Sequence, residues 1–195
     1  MNISKLDYKE KPSKWIALTA IFTGLFVLGK FIAIPEIGSI ESIVTWVSAG
    51  LFGPWLAVIS GTIGVVLSFF IKLPDLPIFI PSTIIGVIMT SLIMGYGRKL
   101  AFMVWKSSGM NDRRRRMVTE SIIYILMQIA QYSFYLLYNL AFGIPGYEIR
   151  IVITFVVKLV LLPIGLILIE AIRKSLNKPY FDLELAETGS IKEES

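Results

Sequence analysis

Two rows of polar side chains interrupt otherwise apolar stretches of this sequence. The first, Gln128, Gln131, Tyr132, Tyr135, Tyr138 and Asn139, follows offsets of 0, 3, 4, 7, 10 and 11, which places all six on one side of a helix. Amides turned to lipid would each leave several hydrogen-bonding groups unpaired, so this face must point inward. The second row, Arg150, Thr154 and Lys158, repeats at i, i+4 and i+8. A lysine near the bilayer centre costs about 2.5–3.5 kcal/mol on insertion scales, which makes it a functional candidate by default. No acid deep in the helices from residue 55 onward answers Lys158, so something else should compensate it. The chemistry that fits is recognition. Tyrosines can wall a flat ring, amides can meet its carbonyl and nitrogen edges, and a cation can close the floor. The competing reading is a hydrogen-bond network that only holds helices together, with Lys158 on a tyrosine or a carbonyl. Under the first reading, Lys158→Leu abolishes ligand binding and leaves the fold intact.

Other motifs carry no chemistry. Gly24 to Lys30 matches the first seven positions of a phosphate-binding P-loop, but Phe31 stands where a Ser or Thr should hold Mg²⁺, and no strand precedes it. Any ATP that drives this protein is bound by another subunit. Asn2-Ile3-Ser4 fits a glycosylation acceptor only by chance at a cytoplasmic terminus. The run Arg113 to Arg116 reads as a topological anchor rather than a nucleic-acid site, with docking of a cytoplasmic partner as the minor reading. The chain has no Cys and no His, which removes disulfides, thiol and imidazole catalysis and the commonest zinc and haem ligands. No cofactor or metal is expected.

The elements that must position the two rows are membrane helices. Of 195 residues, 55% are hydrophobic and 17% charged, and the mean hydropathy is +0.72. That is too little polar surface to cover a water-soluble domain. Runs at Trp15 to Ile34, Leu76 to Tyr96 and Val152 to Ile172 approach or exceed the roughly 18–20 residues that cross hydrocarbon. Met117 to Phe142 is long enough but polar on one side, and Ile37 to Phe52 and Trp55 to Ile71 flank a Gly53-Pro54 break. The segment from Ile37 is the weakest and could tilt or form a re-entrant hairpin with its successor. Alternate loops hold 15 of the 19 Lys and Arg, which puts that side, with both termini, in the cytoplasm. The expected fold is therefore an all-α integral membrane bundle of six transmembrane helices in the cell membrane. It has a basic cytoplasmic N-terminus over 1–14, a transmembrane domain over 15–174 and a cytoplasmic tail over 175–195. In this topology Tyr135, Tyr138, Asn139, Arg150, Thr154 and Lys158 share the outer half of helices five and six, where they would enclose an outward cavity. Lys30, near the outer end of helix one, reads as a residue that snorkels to headgroups. Glu36, Glu41, Tyr147 and Glu148 sit on or beside outer loops, where they could line the cavity mouth, and most of them read as solvated.

Small residues fall in stripes where helix backbones approach closely. Ala57, Gly61, Gly64 and Ser68, and likewise Ser82, Gly86 and Thr90, are explained by packing inside the chain, whereas Ala17, Ala20 and Gly24 on helix one fit an intersubunit face equally well.

Several features in order resemble the substrate-specific S components of energy-coupling factor (ECF) transporters. They are the basic N-terminus leading into Trp15 to Gly24, the Ile34-Pro35-Glu36-Ile37-Gly38 loop, the Gly50 to Pro54 turn followed by Gly61 and Gly64, and the six spans. The resemblance runs from Lys14 to about Lys174. It implies a non-enzymatic subunit of an ABC-type importer that binds a vitamin or similar micronutrient from outside. Its partners would be a membrane coupling protein and two cytoplasmic ATPase subunits, with Ala17, Ala20 and Gly24 against the coupling protein. The substrate does not carry over. Riboflavin binders of the family often place an Asn three residues before a Lys on helix six, where this chain has Phe155, and only a riboflavin-like flat heterocycle can be suggested. The alternatives are a lipid-modifying enzyme, for which Glu120 and Glu170 are the available acids, and a ligand-free accessory subunit.

Overall fold

A computed structural model describes residues 12–34, 38–71, 79–105, 112–143 and 147–176. The basic segment before Pro12, the Glu36 loop, the loop with Lys72 and Asp75, and the tail after Leu176 lie outside the described residues, as do the side chains of Tyr147, Glu148 and Arg150. Among those described, seven helices follow one another: α1 (Pro12–Phe31), α2 (Glu41–Phe52), α3 (Pro54–Ile71), α4 (Phe79–Trp105), α5 (Asp112–Ala141), α6 (Tyr147–Val160) and α7 (Leu162–Leu176). Between α1 and α2 sits one antiparallel pair of two-residue strands, β1 (Ala33–Ile34) and β2 (Gly38–Ser39), a small departure from an all-α chain.

Among the described residues four helices, α1, α3, α4 and α5, are long and apolar enough to cross a membrane, and α6 with α7, bent by 46° at their break, passes the same test only as a pair, the pattern of a broken span or a re-entrant loop. Large side chains such as Ile21, Phe70, Leu137 and Ile167 stay exposed on the outside of the bundle, as lipid contact requires. Six spans were expected. The difference is α2, whose 12 residues reach about 18 Å, short of the roughly 30 Å of hydrocarbon.

Instead, α2 lies in the middle of the bundle, in contact with α1, α3, α4 and α7. Its residues are buried almost without interruption from Ser42 to Leu51. A helix with three hydroxyls can be buried this way because Thr45 Oγ1 donates to the Glu41 carbonyl at 3.1 Å and Ser48 Oγ to the Thr45 carbonyl at 3.1 Å. Gly53, at φ 107°, ends the helix in a conformation that a side chain would strain, and Pro54 opens α3, where its missing N–H costs nothing.

The small-residue stripes on α3 and α4 are internal seams. A Cβ on Gly64 would meet the Phe26 ring at 2.6 Å, and one on Gly61 would meet Val87 at 2.5 Å. On α1 the stripe behaves differently: Ala17, Ala20 and Gly24 are exposed, and nothing lies within 4 Å of a Cβ placed on Gly24.

The apolar run from Val152 to Ile172 reads as one helix in sequence but breaks at Leu161. Pro163 has no N–H for the carbonyl of Leu159 and clashes with an uninterrupted preceding turn. The chain tightens there, with Leu161 N donating to the Lys158 carbonyl at 3.1 Å. The Tyr124 hydroxyl donates to the same carbonyl at 2.9 Å. Beyond the break, α7 approaches α2 so closely that a Cβ on Gly165 would sit 2.0 Å from the Trp46 ring. Trp46 cannot yield, because its Nε1 donates to Glu120 at 2.6 Å and its ring stacks on Tyr124 at 4.6 Å. Gly165→Ala is accordingly expected to destabilise the fold by about 1–3 kcal/mol or more, read as a lowered midpoint of unfolding in mixed detergent micelles.

Candidate functional site

Near the strand pair, α1, α2, α4 and α5 separate around a hollow of about 20 Å³, room for about one water, which widens into an open mouth; mouth and hollow together enclose about 340 Å³ of empty space. Each helix presents to it residues one turn apart, the spacing that puts side chains on one face. Phe26 and Lys30 come from α1, Glu41, Ser42 and Thr45 from α2, Thr83, Val87 and Thr90 from α4, and Met127, Gln131 and Tyr135 from α5. Phe26, Val87 and Met127 make the apolar part and the remainder is polar.

The hydrogen bonds decide what this wall can offer a ligand. Thr83 Oγ1 donates to the Phe79 carbonyl at 2.8 Å, Thr90 Oγ1 to the Val87 carbonyl at 3.0 Å, and Thr45 is engaged as described above, so these hydroxyls retain acceptor lone pairs only. Gln131 Nε2 donates to Tyr135 Oη at 2.9 Å, which leaves the phenolic hydrogen of Tyr135 to donate elsewhere. Tyr135 reaches this position across α4 because residue 86 is glycine: a Cβ there would come within 2.5 Å of Tyr135 Oη.

Lys158 is not at the floor of this cavity. It is 3% exposed, its Nζ stands 3.5 Å from Glu41 Oε1, and it donates to Ser42 Oγ at 3.2 Å. The acid that answers it therefore comes from the first turn of α2, a residue that sequence places beside an outer loop and offers for the cavity mouth, but not as the partner of Lys158. Lys158 also occupies the last turn of α6, where the helix dipole favours a cation. It stands behind Glu41 and Ser42, whose side chains face the cavity.

Where α5 meets α6, Tyr132 packs edge-on against Phe155, ring centroids 5.8 Å apart. Of the residues singled out in sequence, Gln131 and Tyr135 line the cavity, on the side of α5 that faces α4. Tyr138 packs against Phe142 at 4.5 Å and Phe134 at 6.1 Å, Asn139 is buried near the end of α5, and Thr154 is half-buried on α6; none of these lines it. The Arg150 side chain lies outside the described residues. Lys30, given little weight in sequence, is half-buried in the cavity wall.

A second polar centre was not foreseen. At the far ends of α4 and α5, Arg98 and Glu120 are 4% and 2% exposed and form a two-pronged ion pair, Nε to Oε1 and Nη2 to Oε2, the latter at 2.6 Å. Arg98 Nη1 also donates to the Met94 carbonyl at 2.5 Å, and Trp46 from α2 donates to the same carboxylate. Gly50 makes room for the guanidinium, since a Cβ there would meet Nη2 at 2.5 Å. Sequence offers Glu120 only as one of two acids available to an enzyme and sets Arg98 apart from no other basic residue. The remaining acid considered for an enzyme, Glu170, is likewise taken by arginine: Arg173 Nη2 donates to it at 2.8 Å. Among the described residues no group of three or more Asp, Glu, His or Cys could hold a metal ion. Comparisons of the chain with family profiles, with curated proteins and with solved structures find no match.

Proposed function

We propose that this chain is the substrate-binding subunit of an ECF-type importer, residing in the cell membrane with both termini cytoplasmic and capturing a small nutrient from outside. The observation that carries the reading is the cavity between α1, α2, α4 and α5. It is a mixed polar and apolar hollow, with a cation, a carboxylate, an amide and a phenol, inside a bundle whose outside is apolar. Polar groups of that kind are costly inside a membrane protein unless they pair with one another or serve a ligand. A mouth on the external side is the orientation that the basic-residue asymmetry supports.

The exposed stripe of Ala17, Ala20 and Gly24 supports the second half of the reading, a face for a membrane coupling protein that would bring two cytoplasmic ATPase subunits. Most of the 340 Å³ is open mouth, so a guest would sit in the mouth with its head group turned toward the polar hollow.

Native mass spectrometry of the protein purified in mild detergent tests this directly. The expected spectrum shows a stoichiometric small-molecule adduct that is released on collisional activation and lost when Gln131 and Tyr135 are both changed, as in Gln131→Leu with Tyr135→Phe. A protein that flies at its bare mass after expression in medium rich in micronutrients would contradict the proposal.

A further inference from the structure

The charges around the cavity do not cancel. Glu41 is the carboxylate in its wall, and its charge is answered by Lys158, 3.5 Å away and buried behind it. Lys30 lies in the same wall and is matched by no acid within ion-pair distance among the described residues. The described lining with Lys158 therefore carries one net positive charge. The strongest hydrogen-bond donors available to a guest are the Lys30 ammonium and the Tyr135 hydroxyl, whose oxygen is already occupied by Gln131. A cation and a phenol O–H with no acceptor of its own among the hydrogen bonds described, in surroundings partly walled by Phe26, Val87 and Met127, are the groups an anion would use.

Resting on the capture reading above, we infer that the cavity selects a small anionic solute, a monocarboxylate in the simplest case. Its negative group is held by Lys30 and Tyr135, and its uncharged remainder sits against the threonine and apolar wall. The Glu41–Lys158 pair acts as a neutral side of the site. It also works against cationic solutes, because a guest cation must displace Lys158 from Glu41 and leave that ammonium buried and unpaired.

Benzoate, benzamide and benzamidine share one ring and one planar head group and differ only in charge, so they isolate this property. Binding of each to the purified protein is measured by ligand-observed NMR or calorimetry, in wild type, Lys30→Gln and Lys30→Arg. Because hydrogen bonds to charged groups are stronger than those to neutral ones, the carboxylate is expected to bind at least about tenfold more tightly than the amide, with the amidine weakest. Lys30→Gln should erase the gap between benzoate and benzamide, while Lys30→Arg, which keeps the charge, should preserve most of it. Monodispersity of all three proteins on size exclusion checks that the fold survives. Preference for benzamidine, equal binding of all three, binding of none, or a gap that survives Lys30→Gln would each overturn the inference. The native mass spectrum separates this from failure of the capture reading. A neutral or cationic nutrient in the adduct overturns anion selection alone, and an empty protein overturns both.

Discussion

Glu120→Ala is expected to destabilise the protein by about 3–5 kcal/mol, the effect of leaving a buried charge without its partner. Arg98 is 4% exposed, enclosed by Gly50 of α2 and anchored to the Met94 carbonyl at 2.5 Å, so its guanidinium cannot swing to the surface when the carboxylate goes. The same change orphans the Trp46 Nε1–H, which donates to Glu120 at 2.6 Å, and loosens the contact of α7 on α2 through Gly165. An intact buried pair is itself no sure source of stability, since desolvation of both ions offsets their attraction. Arg98→Met combined with Glu120→Met should therefore recover most of the loss. Reversible unfolding in mixed micelles supplies both numbers, and a double variant as unstable as Glu120→Ala would show that shape, not charge, governs this centre.

The second large effect concerns Lys158→Met, which removes a charge whose partner faces the cavity. Glu41 has a side chain 21% exposed and can be partly hydrated, so the stability loss should be smaller, about 1.5–3 kcal/mol, the range for hydrogen bonds to charged groups. Binding should suffer more. With Lys158 gone, the nearest cation in the lining for Glu41 is Lys30, and the cavity loses its net positive charge. Benzoate affinity is expected to fall by at least about tenfold. Glu41→Gln added to Lys158→Met restores the charge balance and should restore most of the affinity. This differs from the expectation drawn from sequence, in which Lys158 touched the ligand and its loss spared the fold. A double variant that binds no better than Lys158→Met would assign Lys158 to direct contact after all.

The parts of the fold legible in the sequence were those written in long apolar runs and in glycine and proline punctuation. The positions of α1, α3, α4 and α5 and the turn at Gly53-Pro54 follow from such signals, and so does the inward aim of Gln128, which is fully buried. Illegible features depended on what meets what across the bundle. Glu41 looks like a loop acid because only the tertiary fold carries the start of α2 to Lys158, 117 positions downstream. Arg98 and Glu120 flank a basic linker, where charges are ordinarily counted for topology, and nothing local shows that they turn toward each other. The α6–α7 bend had a signal in Pro163, which the uninterrupted hydrophobicity of the run concealed. The polar row on α5 illustrates both cases. Its inward orientation was readable, but which neighbour each residue meets was not: Tyr132 goes to α6, while Gln131 and Tyr135 go to the cavity beside α4.

That the cavity opens to the outside and receives solute there is tested most directly by a single cysteine, in a chain that has none of its own. Thr83→Cys places a thiol in the cavity wall, and Ser68→Cys places one in the buried seam of α3. Intact cells are treated with a membrane-impermeant anionic thiosulfonate, and the modified fraction is read by mass spectrometry. The account predicts that Thr83→Cys is modified from outside and protected by benzoate, while Ser68→Cys stays unreacted. Modification of Thr83→Cys only after the inner face is exposed, or reaction that benzoate does not slow, would contradict it.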